Sequence, residues 1–438
     1  MISRIFLFLS VVVIQSASAQ TLYDPMKQIP VSLLKSDFRF LRMKLKTVHP
    51  ALYRYTSKVK MDFLFDSLNH SINEPLNEQQ FLSLIQLLSE KIKDGHTMFL
   101  PGKELSNYDK NDGRFFPFST SWIANKLVIT ENLSADPSIL AGTEIISING
   151  IDTKYFMPGL IRRQIRDGYS LTYPYWILSK YFASYYSFAF GRSSTFLIGL
   201  KTNKTEILKN ITALSIADMQ ANQRVRYKHK QTTIGIQLKT TNRPSTALVS
   251  VESFEPDNFE LAGQSNYKKA IGKLFLRIRK DSISHLVLDL RDNQGGEFEP
   301  VRVLLSYLIE KPCQFLVGGP ESELIQPNRN HFQGRIDILM NGGSFSATSI
   351  LIATLQREHR VVLIGEETGG NQYEISGDAK LFILPSTHIH CMISTKNYRI
   401  LSGINEGHGV LPDYCVKPTI NDLDSKKDPV LAYVLALQ

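Results

Sequence analysis

At 438 residues, with 43% hydrophobic and 21% charged residues, the chain has the composition of a soluble globular protein and is too long for a typical single core, so two or three domains are expected. Its three cysteines, Cys313, Cys391 and Cys415, allow one bridge at most and exclude a scaffold held together by disulfides. The formal charge of +9 comes from Lys and Arg spread along the sequence, without a basic cluster interleaved with aromatics, which argues against nucleic acid as a partner and for a solvated surface.

In order along the sequence, Arg4, the apolar run Ile5 to Ile14 and Ser16-Ala17-Ser18-Ala19 form the three parts of a secretory signal peptide. Residues 1–19 are expected to be removed, leaving an exported protein, periplasmic or secreted, that starts at Gln20. The apolar run is short for a bilayer span, and no cysteine follows the cleavage point to accept a lipid, so no stable membrane insertion is expected after cleavage. From Gln20 to about residue 103 the pattern is helical. Phe81, Leu84, Ile85, Leu88 and Ile92 follow Asn77-Glu78 at helical spacing and end in Lys93-Asp94-Gly95. Pro101-Gly102 marks a boundary.

Residues 104–222 are richer in strands and aromatics. Within them, Leu140 to Ile151 alternates apolar residues and closes in Asn149-Gly150, a hairpin turn signal. After residue 222 strands and helices alternate. Ala247 to Phe254 reads as a strand, Ile271 to Ile278 as a helix, Ser284 to Leu290 as a strand, Val301 to Leu308 as a helix, Ile336 to Met340 as a strand, Thr348 to Leu355 as a helix and Val361 to Ile364 as a strand. Such alternation implies an α/β layered core with a largely parallel sheet over residues 223–438.

Between the strand Ile336 to Met340 and the next helix lies Asn341-Gly342-Gly343-Ser344-Phe345-Ser346-Ala347. A serine on a tight strand-to-helix turn sits beside unpaired helix N–H groups, which can stabilise developing negative charge. Taken alone, the segment is better read as an ordinary Gly/Ser loop with Ser344 or Ser346 as N-cap. Three further segments stand out: Asp289-Leu290-Arg291-Asp292-Asn293-Gln294-Gly295-Gly296, Gly365-Glu366-Glu367-Thr368-Gly369-Gly370, and Glu406-Gly407-His408-Gly409-Val410-Leu411-Pro412-Asp413. His388-Ile389-His390 would put two imidazoles on one face of a strand, a spacing that can bind zinc, but no third ligand accompanies them.

In this order, these segments resemble the C-terminal-processing, or tail-specific, serine peptidases, and Leu140 to Ile151 resembles the strand and turn of PDZ domains. The resemblance spans roughly residues 93 to 416. It implies a ClpP/crotonase-like core preceded by an N-terminal helical domain and a PDZ-like domain, polypeptide substrates, and neither cofactor nor metal. Members with a Ser-Lys dyad carry lysine where this protein has Asn371, whose amide has no useful basicity. The branch that includes the tricorn core protease uses serine, histidine and glutamate instead. By that resemblance Ser346 is the nucleophile, His96 the base and Glu406 the acid that holds the imidazolium, with oxyanion donors at Ala347 and at Gly296 or Gly295. Ser344 and His408 are the rival nucleophile and base, and Lys380 and Lys396 lie near but off the dyad position. The core also resembles interphotoreceptor retinoid-binding protein, which leaves a peptide- or apolar-ligand-binding protein as the alternative.

Overall fold

The computed structural model describes residues 23–202, 205–227, 235–243, 245–264, 266–319, 321–425 and 427–437. The expected signal peptide, residues 1–19, lies outside the described residues. Among them, no helix is long and apolar enough to cross a membrane.

In the first described helix, Val31–Val48, Leu34, Phe38, Leu41 and Leu45 recur at steps of four and three, so they form one buried stripe. The helix Lys58–Ser71 brings Phe65 edge-on to Phe38, ring centroids 6.4 Å apart. Asn77 opens the helix Glu78–Ile85 with a capping box. Its side chain accepts the Gln80 N–H, and the Gln80 side chain accepts the Asn77 N–H, both at 2.9 Å. The periodicity through Ile92 is interrupted by a 3-10 turn, Gln86–Leu88, before a last helical turn, Ser89–Ile92, stops at Lys93 with φ 55°.

The strand Met98–Leu100 that follows pairs antiparallel with His390–Ile393, which pairs in turn with Lys380–Ile383. Leu384, Ile389, Cys391 and Ile393 enter the core of the N-terminal helices. The helical unit expected over residues 20–103 is therefore completed by strands from the far end of the sequence, which cover an apolar side the helices leave open.

A middle sheet runs, in spatial order, Phe118–Ile123, Lys126–Asn132, Glu144–Ile148, Thr195–Lys201 and Glu206–Thr212, with every neighbour antiparallel. The Asn-Gly turn joins Glu144–Ile148 to Ile151–Asp152, with Asn149 at φ 50° and Gly150 at φ 80°. The boundary expected at residue 222 falls inside the helix Ile216–Arg226. That helix belongs to the middle sheet, since Asn222 donates to Leu133 O and Arg226 to Asn132 O. The long helix Thr172–Phe190 bends at Tyr181. Leu178, Phe182 and Tyr186 pack in the middle domain, while Tyr173, Trp176 and Ile177 pack against Phe345.

The α/β core contains six strands in the order Tyr414–Cys415, Val362–Gly365, Arg335–Met340, His285–Asp289, Thr246–Val251, Ile236–Thr240, all parallel except the last pair. Leu286 and Leu288 face the helices Tyr267–Lys280, Phe298–Leu308 and Ala347–Arg357; Val287 faces Val430 and Val434 of the helix Pro429–Ala436. Burial on both faces explains why these strands read as continuous apolar runs. Because His285–Asp289 and Arg335–Met340 are parallel neighbours, the Gly295-Gly296 loop and the Ser346 turn emerge at the same edge. The three cysteines are unbridged, Cys313 and Cys391 buried and Cys415 exposed.

Candidate active site

The turn into the helix Ala347–Arg357 is sewn in place from several sides. Asn341 Oδ1 accepts the N–H groups of Gly343 at 2.9 Å and Asp292 at 3.0 Å, and Phe345 N–H donates to Asn293 O at 3.1 Å. Gly343 is required because a Cβ there would lie 2.3 Å from Trp176 Nε1. Ser346 is held at φ 54° and ψ −125°, a region that non-glycine residues rarely occupy, and it is 8% exposed. Ser344 is fully buried. Its hydroxyl donates to Leu290 O at 2.8 Å and accepts the Asn341 N–H, so it braces the turn.

His96 Nε2 lies 3.0 Å from Ser346 Oγ. The imidazole is 1% exposed and stacks on Phe345, centroids 4.9 Å apart, and Phe345 stacks on Tyr173 at 4.2 Å. Burial pushes the His96 pKa down, and the charges of Asp94 and Asp378 only partly offset it. The lowered pKa favours the neutral ring, and for Nε2 to accept the serine proton its own proton must sit on Nδ1.

The Gly295-Gly296 loop adjoins this pair. A Cβ on Gly295, which has φ 90°, would lie 2.7 Å from Ala347 N and 2.9 Å from Ser346 Cβ. Gly295 N–H donates to Asn293 Oδ1 at 2.9 Å, which removes it from the expected oxyanion donors. Among the described residues nothing accepts from the N–H groups of Gly296 or Ala347. Arg291 binds Asp289 and Asp428, tying the strand end to the cap of the helix Pro429–Ala436.

The expected hold of Glu406 on His96 is not made. Glu406 is exposed, and among the described residues nothing hydrogen-bonds the buried His96 Nδ1. The turn before it is instead organised by Asn405, whose Oδ1 accepts from Asn371 Nδ2 at 2.9 Å and from Gly407 N–H at 2.8 Å. Asn371 is fully buried, and its Oδ1 accepts the N–H groups of Tyr373 and Glu374. At the position of the dyad lysine this protein therefore has a loop organiser. His408 pairs with Glu367 at 3.2 Å on the surface, Lys396 with Asp378 at 2.7 Å, and Lys380 is exposed. His388 lies in a turn at φ 56° and only His390 is in the strand, so the two do not share a strand face.

Sequence patterns did not point to Asp167 or His49. Asp167 lies in the loop after the helix Thr153–Arg162. It accepts the Gly95 N–H at 2.7 Å and the Asn371 N–H at 3.4 Å, joining the histidine segment to the loop where the lysine would be. Burial, then the charge of Asp94, push the Asp167 carboxyl up to about 7. Asp94, His96 and Asp167 offer ligand atoms within 4.8 Å of one another, a spacing that could hold a metal. Protein donors occupy both oxygens of each carboxylate, and His96 Nε2 faces Ser346. This donor set is therefore committed to the histidine segment.

Residues 245–416 match the model of peptidase family S41. A "Probable CtpA-like serine protease" of Staphylococcus epidermidis is 28% identical over 113 residues, covering 24% of this chain and 23% of that protein. The "C-terminal processing peptidase, chloroplastic" of Tetradesmus obliquus is 24% identical over 165 residues, 36% of this chain and 34% of that protein. The match thus spans about a quarter to a third of the length of these relatives. The structure of mature CPAF complexed with lactacystin superposes with a TM-score of 0.67 over 92% of this chain and 97% of that one at 13% identity, so the fold is shared through the helical and middle domains as well as the core. Over residues 245–416, the protein has the core of a peptidase of family S41.

Proposed function

We propose that this protein is a serine endopeptidase that cuts polypeptides through an acyl-enzyme on Ser346. The observation that carries the reading is the 3.0 Å contact between Ser346 Oγ and the buried His96 Nε2, at the edge where the parallel strands of an S41 core end. In the proposed cycle His96 Nε2 takes the hydroxyl proton as Ser346 Oγ attacks the scissile carbonyl carbon. The N–H groups of Ala347 and Gly296 receive the oxyanion. His96 then returns the proton to the departing amine, and water repeats the sequence to release the acyl group. Glu406 is left out of this set because it is exposed and His96 Nδ1 has no bond to it.

The similarity to the chloroplastic C-terminal processing peptidase supports action near the C-termini of polypeptide substrates. The middle domain, with its Asn149-Gly150 hairpin, is read as PDZ-like and as the part that captures or gates the substrate. The leader over residues 1–19 supports export. Casein digestion followed by gel electrophoresis tests the central reading: wild type should degrade casein and folded Ser346→Ala should not. Equal digestion by both would refute it. A folded wild type inert toward casein and toward serine-directed probes would favour a binding protein on this fold.

A further inference from the structure

We propose that His49 and Asp94 form a buried positioning pair that supplies the negative charge for the His96 imidazolium, the part expected of Glu406. The inference rests on the Ser346–His96 reading above. Asp94 lies two residues before the base. Its Oδ1 accepts the His96 N–H at 2.8 Å; its Oδ2 accepts from His49 Nε2 at 2.7 Å and from Thr97 Oγ1 at 2.9 Å. One carboxylate thus fixes the backbone of the catalytic histidine and keeps a charge within 4.8 Å of a His96 ring nitrogen. In a site closed to water such a charge acts with little screening on the positive charge that develops as His96 takes the serine proton.

His49 determines the state of that carboxylate. It follows the helix Val31–Val48, its side chain is 1% exposed, and its Nδ1 accepts the Ala51 N–H at 3.1 Å. A ring nitrogen that accepts carries no proton, so the His49 proton is on Nε2 and points at Asp94, and the ring is neutral. Burial pushes the Asp94 carboxyl up, but the hydrogen bonds it accepts, from His49 above all, favour the carboxylate, and its pKa lies below the usual range. His49 touches neither Ser346 nor the oxyanion donors. It acts only through Asp94.

The other groups facing this pair do not take over its part. Asp167, with Tyr55 and Arg54 near it, is raised to about 7 by burial first and then by the Asp94 charge, and so is protonated through the acid range. Asp378, in the turn after Glu374–Gly377, is paired with Lys396. Below neutral pH Asp94 is therefore the unneutralised carboxylate beside His96.

The test compares His49→Gln, whose side-chain amide can donate from nearly the same place, with His49→Phe, which keeps a ring but has no donor. The readouts are the first-order rate of Ser346 labelling by a fluorophosphonate at saturating probe, the probe affinity, and the pH dependence of the rate. His49→Phe should lose on the order of tenfold or more in rate with affinity unchanged. Its pH midpoint should move upward, since an Asp94 without its donor ionises only at higher pH, and His49→Gln should restore most of the rate and the wild-type midpoint. A folded His49→Phe protein with wild-type rate and profile would overturn the inference. So would equal losses in both variants with an unmoved midpoint, which would make His49 a packing residue.

If His49→Phe does not fold, nitrogen-15 histidine NMR of the Ser346→Ala protein decides. It should show His49 neutral with its proton on Nε2, and a charged ring or an Nδ1–H tautomer would overturn the pair. Undiminished labelling of Ser346→Ala would refute the nucleophile, whereas the NMR result judges His49 and Asp94 whichever serine reacts.

Discussion

Replacing Ser346 by glycine separates the strain of the serine turn from its chemistry. Ser346 sits at φ 54° and ψ −125°. Holding a non-glycine residue in such a sparsely populated region costs about 1–3 kcal/mol. Glycine escapes that cost but brings an unfolded-state entropy penalty of roughly 0.5–1 kcal/mol relative to alanine. Ser346→Ala and Ser346→Gly both lack the hydroxyl and its contact with His96, so their difference isolates the backbone term. The glycine variant should be the more stable by about 1 kcal/mol. Urea unfolding followed by tryptophan fluorescence suits the measurement, because Trp176 lies against Gly343 of the same turn. With a slope of about 3 kcal/mol per molar, the midpoint should rise by roughly 0.3 M. A glycine variant that unfolds at or below the midpoint of the alanine variant would refute the strained turn.

Three further outcomes are expected. Labelling of Ser346 should rise with pH to half its maximum below the ordinary histidine value of about 6.5, because burial lowers the His96 pKa and a neutral Nε2 persists into mild acid; a midpoint at or above that value would contradict the buried base. Asn371→Lys should cost on the order of 3 kcal/mol in unfolding free energy, since an ammonium would enter a fully buried site and leave the Tyr373 and Glu374 N–H groups without their acceptor. It should not rescue His96→Ala, and recovered casein cleavage in the double variant would mean that a Ser-Lys mechanism remains latent here. Mass spectrometry of the exported protein should find Gln20 at the N-terminus, and an intact Met1 would exclude the leader reading.

The core was legible because its signals are local. Buried parallel strands appear as runs such as Leu286-Val287-Leu288, helices as stripes such as Ile271, Leu274, Phe275 and Ile278, and the Asn149-Gly150 turn as a dipeptide that tolerates positive φ. Ser346 and His96 stand out only through the resemblance of their segments to one family, since neither is distinctive alone, and folding brings them to 3.0 Å. What stayed hidden depends on partners distant in sequence. The pairing of Met98–Leu100 with His390–Ile393 is not encoded in either strand alone. His49 stands before a proline with no motif around it, and Asp167 occupies a loop whose decisive neighbours, Gly95 and Asn371, are supplied by other parts of the fold. Glu406 shows the opposite failure: its motif matched, but the turn that carries it leaves the side chain exposed.

The central claim, that His96 activates Ser346, is tested most directly by locating a fluorophosphonate adduct by peptide mass mapping in wild type and in folded His96→Ala. A single adduct on Ser346 in the wild type, lost when His96 is replaced, is the predicted result. An adduct on another residue, or undiminished labelling of Ser346 without His96, would contradict it.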